Sequence, residues 1–345
     1  MTAPARGIIT SRPTGITPAR WRCSKNLAAS TLSGPSAVAE WSATAYIASP
    51  SPSPTYAAQW RSPRPAIVTL LLLGPLLVFS GKSERAEAYF RDAIELCQRD
   101  GDRFHLCVAY LNRAWLWLAG QDAVKHGLQR ALDDLQRARR IARETGQPLL
   151  ERGAAYNLAE ILHWSGQHDA ALGYARRAVR LQRFLPEPVV NDILLVARVL
   201  AGVRRWSEAE PHTERARTLA EARPGSLNPG EAFFLCALEL LVRDPGYSQY
   251  DDAPLHPDPH RAPGTIPEQV ASGRRTWREL VVEAKADLAA EEALEILYFS
   301  ALHAERVGDA AALQEALDDA SERLEKTPLW TGLFAGILAR ARTRA

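Results

Sequence analysis

The stretch that decides the fold runs from Ala155 to Leu181 and reads AYNLAEILHWSGQHDAALGYARRAVRL. Apolar residues in its first half recur at the i, i+3, i+4, i+7 spacing that places them on one face of a helix, and the second half repeats the pattern. Ser165 and Gly166 separate the two halves, and glycine has the backbone freedom that a tight turn between helices often requires. The stretch therefore predicts a helical hairpin. Its two apolar faces consist of Ala155, Leu158, Ala159 and Leu162, then Ala171, Tyr174, Ala175 and Ala178.

This hairpin recurs along the chain. Relative to Gly166, small or apolar residues lie 7 positions before and 5, 9 and 12 positions after, and the same offsets from Gly81, Arg204 and Gly308 again select small or apolar residues. A further copy with a longer turn follows a first helix centred on Ala114. Small side chains at such positions let two helix backbones approach closely. We therefore predict a repeat protein. The residues that follow each turn by 5 positions are Ala86, Ala131, Ala171 and Ala209, and the intervals between them are 45, 40 and 38 residues.

The hairpins resemble tetratricopeptide repeats, whose signature is a small residue in the first helix and alanines that frame an aromatic residue in the second. Their spacing of about 40 residues is similar to that of the long-helix arrays in bacterial signalling proteins, including segments appended to transcriptional activators and Ser/Thr kinases. The resemblance covers Leu70 to Glu325. It implies an all-α, right-handed α-solenoid of five to six helical hairpins. An apolar face that includes Trp330 and Phe334 predicts a C-terminal capping helix after Pro328.

Composition separates the chain into two domains. Residues 1–65 are rich in Pro, Ser and Ala and hold seven basic residues against one acidic residue. This segment therefore has a net charge of +6, whereas the whole chain has a net charge of +2. We expect a disordered extension there, although a transit peptide, a linker or a wrongly extended gene model would have the same composition. Residues 66–345 form the predicted repeat domain and carry the remaining charge of −4. A proline-rich insertion loop, residues 244–267, is predicted between the two helices of the fifth hairpin.

The apolar stretch 66–80, AIVTLLLLGPLLVFS, has two interpretations. It fits the first helix of the array, with Gly74 at the small position and Leu70, Leu73 and Leu77 on the packing face. A membrane anchor is the alternative, but 15 uncharged residues are fewer than the roughly 17 to 25 that a spanning helix needs. We expect Pro75 to kink the helix or to delay its start. No membrane partner is predicted.

Composition and motifs also limit the function classes. The mildly acidic array lacks the basic stripe that nucleic-acid binding requires. The four cysteines form no CxxC pair, which favours a reducing, cytoplasmic setting. The GKS motif at Gly81 to Ser83 lacks the upstream glycine of a phosphate loop, so it is predicted to be a turn. His256 and His260 lie in the insertion loop, and a loop-borne metal enzyme is the less favoured alternative. No catalytic residue, metal or cofactor is predicted.

Binding is the better supported function. In a stack of such hairpins the first helices line the concave surface, so the faces opposite the packing alanines form a groove. Asn112 and Asn157 occupy equivalent places, and the family resemblance implies that asparagines there hydrogen-bond an extended peptide. The alternative is that each asparagine ties adjacent helices together. Trp115 is predicted as an interface anchor or a core residue. The predicted groove residues are Leu111, Asn112, Trp115, Tyr156, Asn157, Glu160 and His163.

The sequence thus predicts a non-catalytic scaffold that binds a peptide or helix of a partner protein in the concave groove. The alternative, which rests on the resemblance alone, is a regulatory or sensory segment of a Ser/Thr kinase or transcriptional regulator whose catalytic part is absent from this chain. His163 and His168 lie on either side of the hairpin turn, and we expect both at the surface.

Overall fold

A computed structural model describes residues 65–119, 126–242 and 277–344, and every regular element in those ranges is helical. The predicted extension up to residue 64, the insertion loop 244–267 and both histidines of the metal alternative lie outside the described residues.

The described ranges contain thirteen α-helices. Their bounds are α1 (Pro65–Phe79), α2 (Ser83–Asp100), α3 (Arg103–Ala119), α4 (Leu128–Glu144), α5 (Pro148–Trp164), α6 (His168–Leu181), α7 (Val190–Gly202), α8 (Trp206–Ala222), α9 (Pro229–Val242), α10 (Trp277–Asp287), α11 (Ala290–Val307), α12 (Ala310–Lys326) and α13 (Thr331–Arg344).

Consecutive helices pair into antiparallel hairpins, and each hairpin packs against the next. The pairs are α1 with α2, α3 with α4, α5 with α6, α7 with α8 and α11 with α12, while α9 and α10 flank the insertion and also pack together. A short 3-10 turn, Pro328–Trp330, leads into the last helix. The predicted all-α array of five to six hairpins with a C-terminal helix is therefore confirmed.

The turns between paired helices confirm the phase of the repeats. Gly81, Gly166, Arg204 and Gly308 have φ values of 70°, 80°, 63° and 78°. This left-handed conformation is strained for a residue with a side chain and easy for glycine. Because the four turns have one geometry, the second helices start in register. Five positions beyond these turns, Ala86, Ala171 and Ala209 have fully buried side chains and Leu313 is half-buried. Ala131, the counterpart in the repeat with the longer turn, is also fully buried.

Helix α1 packs on α2 and α3 as the first helix of the array. A Cβ atom added at Gly74 would lie 2.7 Å from the Phe90 ring, so glycine is what allows this approach. The prediction for Leu73 was wrong, because the buried face runs through Leu71 and Gly74 and leaves Leu73 39% exposed. No described helix is both long enough and apolar enough to cross a bilayer.

Pro75 lies inside α1, which begins at Pro65 and continues to Phe79, so the expected delay in the helix start was wrong. A proline cannot donate to the carbonyl four residues earlier. That carbonyl, on Leu71, instead accepts a hydrogen bond of 3.4 Å from Nδ2 of Asn112 on α3. A neighbouring helix therefore satisfies the group that Pro75 leaves open, as buried backbone requires.

The array bends back on itself, so that its last helices contact its middle. His163 of α5 and Glu295 of α11 are separated by 132 residues, yet Nε2 of the histidine lies 3.1 Å from Oε1 of the glutamate. The Tyr298 hydroxyl donates to the Gly202 carbonyl at 2.7 Å. Helix α13 also packs against α5. These contacts bring the first helices of several hairpins around one space.

Candidate functional site

The first helices of the hairpins enclose a cavity. Its walls come from α3, α5, α7, α9 and α11 and from the segments that lead into α7 and α9. The empty space between the walls is about 820 Å³, counting the mouth that opens to solvent. The lining residues are Trp115, Arg152, Gly153, Tyr156, Asn157, Glu160, Trp164, Val189, Asn191, Asp192, Arg198, Asn228, Glu231, Phe234, Glu291 and Glu292.

Four of the seven predicted groove residues line this cavity, namely Trp115, Tyr156, Asn157 and Glu160. Leu111, Asn112 and His163 are buried away from it. The first helices therefore present the expected face, but that face is enclosed by the bend in the array. The seven residues do not form one continuous groove.

The two equivalent asparagines have different environments. Asn112 is 2% exposed and ties α3 to α1 through the Leu71 carbonyl. Asn157 is 7% exposed, lines the cavity, and makes no hydrogen bond to any described residue. An amide has both donors and acceptors. Asn157 therefore offers the cavity a pair of polar groups that the surrounding helices leave unused.

His163 is fully buried, so the predicted surface position was wrong. The bend of the array places α11 over it, where Nε2 contacts Glu295, and its Nδ1 lies 3.0 Å from Nδ1 of His168. His168 is half-buried. Burial, and then the charge of His163, lower the pKa of His168 to about 3. The pair belongs to the packing between α5 and α11.

One wall of the cavity contains a buried ion network. The guanidinium of Arg198 donates to both carboxylate oxygens of Glu295, with Nε to Oε1 at 2.8 Å, and its Nη1 donates to Oε1 of Glu160 at 3.0 Å. Trp164 Nε1 adds a bond of 2.6 Å to Glu295, and the Phe234 ring centroid lies 3.8 Å from the guanidinium carbon. A desolvated charge needs such partners. Arg198 is therefore fully engaged within the protein.

The two carboxylates that share Arg198 respond differently to burial. Burial alone would raise the pKa of Glu295, yet the charges of Arg198 and His163 outweigh it and hold that pKa well below its usual range. Burial raises the pKa of Glu160, because a single bond from Arg198 only partly offsets the loss of water. The phenol of Tyr156 donates to Glu160 at 3.3 Å. Burial also raises the pKa of Tyr156, so this hydroxyl stays protonated.

A second buried pair forms the wall beside α7. Arg152 Nη1 donates to Oδ1 of Asp192 at 2.6 Å, and Gln182 Nε2 donates to the other oxygen at 2.9 Å. Asp192 is fully buried. Both guanidiniums that line the cavity, Arg152 and Arg198, thus pair with carboxylates of the protein itself.

Three further carboxylates lie where α9 and α11 begin. Glu231 accepts from the Asn228 backbone N–H at 2.8 Å and from the Asn191 amide. Burial raises the pKa of Glu231 to about 8 and that of Glu292 to about 7, and burial also raises the pKa of Glu291. No lysine or arginine of the described residues forms an ion pair with any of the three. We call Glu231, Glu291 and Glu292 the acidic trio.

Several cavity residues were not among the predicted groove residues. Arg198 interrupts the apolar run ILLVARVLAG, and a lone charge in a buried helix must have a partner. That signal marks Arg198 as buried and paired, but it does not identify Glu295 as the partner. The acidic trio has no such signal, because acidic residues in a first helical turn are ordinary.

The described residues offer little for metal or nucleophile chemistry at this site. They contain no group of three or more His, Cys, Asp or Glu side chains arranged to hold a metal ion. The three described cysteines are buried outside the cavity lining, and burial raises the pKa of Cys97 and Cys107 to about 12. The arrangement is one of aromatic faces, amides and carboxylates around an open space, which suits binding.

Comparison with known proteins shows the fold of the chain. No family model matches the chain, and no curated protein matches it. Among solved structures, the chain is similar to NprR in complex with its cognate peptide NprX, with a TM-score of 0.50 and 13% identity over 88% of this chain and 82% of that one. At such low identity the likeness concerns the fold alone. Together with the hairpin register, it shows that this chain has a TPR-like, all-helical repeat fold.

Proposed function

We propose that this chain is a non-catalytic scaffold that binds a peptide segment in the cavity between α3, α5, α7, α9 and α11. The observation that carries the proposal is Asn157, which lines the cavity, is 7% exposed, and makes no hydrogen bond to a described residue. A peptide unit offers the donor and acceptor that such an amide lacks.

The composition of the walls supports the same proposal. Trp115, Tyr156, Trp164 and Phe234 present aromatic surface, and the rings of Trp115 and Trp164 pack edge to face at 6.4 Å. Buried aromatic residues are the usual anchors of binding sites. The similar structure of NprR was solved with a bound peptide, NprX. The free buried cysteines fit our proposal of a cytoplasmic protein.

The test compares the two equivalent asparagines. Heptapeptides selected from a random library against the whole chain are titrated against the chain and against Asn157→Ala and Asn112→Ala. We expect Asn157→Ala to weaken binding about tenfold, the order of one or two lost hydrogen bonds, with an unchanged unfolding midpoint. Asn112→Ala should keep the affinity and lower stability, because it leaves the Leu71 carbonyl without its bond.

Two results would count against the proposal. One is a library that yields no heptapeptide bound above the level of a scrambled control. The other is a selected peptide whose affinity is unchanged in Asn157→Ala but falls in Asn112→Ala, since that peptide would bind elsewhere.

A further inference from the structure

The acidic trio gives the cavity more carboxyl groups than basic groups. Five carboxylates line the cavity against two guanidiniums, and those guanidiniums pair with Asp192, Glu160 and Glu295. The trio lies in the first turns of α9 and α11, where helix dipoles favour anions. That effect explains how the carboxylates are tolerated, but it supplies no counter-charge. Glu231 is buried and Glu291 and Glu292 are half-buried, and none of the three carboxyl groups forms an ion pair with a lysine or arginine of the described residues.

The side chains around the trio suit a cationic ligand group. Tyr156 and Trp115 also line the cavity, and aromatic rings attract ammonium and guanidinium groups. The Phe234 ring already has the guanidinium of Arg198 over it. Asn157, nine-tenths buried in the same cavity and without a hydrogen bond to any described residue, is an independent sign that a ligand completes the site. A divalent metal is a poor candidate, because the described residues hold no cluster of metal ligands.

Building on the proposed function, we infer that the acidic trio binds a cationic group of the peptide, either its free amino terminus or a lysine or arginine side chain. Charged hydrogen bonds to carboxylates are shorter and stronger than neutral ones. In a desolvated site, loss of one partner of such a pair weakens binding strongly. The cation therefore determines which peptides the cavity accepts.

The binding should depend on pH, because burial raises the pKa of Glu231 to about 8 and that of Glu292 to about 7. The charged and titratable groups that share the cavity with the trio are Arg152, Tyr156 and Glu160 from α5 and Asp192 and Arg198 from α7. Burial and repulsion by neighbouring carboxylates raise the pKa of Glu231 and Glu292, so these carboxylates become charged as pH rises. Affinity for an arginine side chain should rise from about pH 6 to about pH 9. Affinity for an amino terminus should rise and then fall, because an α-ammonium loses its proton near pH 8.

The experiment uses four pools of random heptapeptides with a carboxyl-terminal fluorophore. The pools have free or acetylated amino termini, each with or without lysine and arginine, and their binding to the whole chain is measured by fluorescence polarisation. We expect the acetylated pool without basic residues to bind at least about tenfold more weakly than the best cationic pool. The two intermediate pools distinguish the amino terminus from the side chain. Equal binding of all four pools overturns the inference and leaves the proposed function standing, whereas no binding by any pool overturns both.

Charge-removing variants test the site itself. Glu291→Gln combined with Glu292→Gln should weaken the cationic pools about tenfold and leave the neutral pool unchanged. The control is Glu315→Gln, which removes one charge from an exposed position on α12. Should the double variant fail to fold, Glu291→Gln alone suffices, because its carboxylate makes no hydrogen bond to another described residue. An equal loss for charged and neutral pools, or an equal loss in Glu315→Gln, would overturn the inference.

Discussion

The contact between α13 and the turn after α5 makes a sharp prediction about glycine. A Cβ atom added at Gly332 would lie 2.8 Å from the carbonyl carbon of Ser165 and closer still to its oxygen. One added at Gly336, one turn further along the same helix, would meet only the guanidinium end of Arg340, at 3.3 Å. The same substitution, glycine to alanine, should therefore have opposite effects at the two positions.

The magnitudes follow from two terms. Alanine favours a helix interior over glycine by about 1 kcal/mol, and this gain applies in full at Gly336 and at most in part at Gly332, the second residue of α13. At Gly332 the new methyl group faces backbone, which cannot rotate away, and ordinary carbon contacts require about 3.5 to 4.0 Å. Overpacking of this kind costs roughly 1 to 3 kcal/mol. Separation of the helices would also weaken the edge-to-face pair of Trp164 and Trp330, whose centroids are 5.5 Å apart.

We expect Gly336→Ala to raise the free energy of unfolding by about 1 kcal/mol and Gly332→Ala to lower it by up to about 2 kcal/mol. Urea unfolding followed by circular dichroism measures both, and limited proteolysis reports whether α13 is released. The difference between the variants is the informative quantity, because both replace glycine with alanine in the same helix and only one of the new methyl groups meets backbone. Equal stability of the two variants would mean that α13 does not pack on the α5 turn, and the bend of the array would need another explanation.

Three other predictions concern stability. Arg198→Met should lower the free energy of unfolding by about 3 to 5 kcal/mol, because the buried Glu295 loses its guanidinium partner and keeps only His163 and Trp164; a loss below 1 kcal/mol in urea unfolding would contradict the buried network. Stability of the unliganded chain should fall by a few kcal/mol as pH rises from about 5 to about 8. The folded pKa values of Glu231 and Glu292 lie above their unfolded ones, so the native state holds more protons and loses that advantage on ionisation; a stability that rises over this range would refute it. Arg204→Gly should raise the melting temperature, since φ there is 63° and glycine relieves about 1 kcal/mol of strain.

The repeat phase could be read from the sequence because it is a local property. Counting from Gly166 identified turns at Gly81, Arg204 and Gly308 that share one backbone geometry. Even the arginine at one of them adopts positive φ, since the helices on both sides fix the turn. Small residues at the counted offsets are buried because they separate adjacent helices, which are also neighbours in sequence.

The cavity could not be predicted in the same way. The pairing of His163 with Glu295 spans 132 residues, and it depends on small rotations between successive hairpins that no local pattern records. The two asparagines show the limit clearly. Asn112 and Asn157 occupy equivalent positions in the repeat, but their hydrogen bonding differs. Pro75 leaves the Leu71 carbonyl without a helical donor, and Asn112 donates to it. Asn157 makes no hydrogen bond to a described residue.

The buried ion network and the open cavity are parts of one arrangement. An apolar replacement of Arg198 and Glu295 could be as stable as the pair, so stability alone does not account for their presence. Their geometry is directional, because Nε and Nη2 of Arg198 and the Trp164 N–H must all meet the Glu295 carboxylate. This fixes α11 against α5 and α7, and α11 supplies two of the three acidic trio members. The same network also occupies Arg198, a cation that lines the cavity beside Glu160. The trio is thereby left for a positive charge that arrives with the ligand.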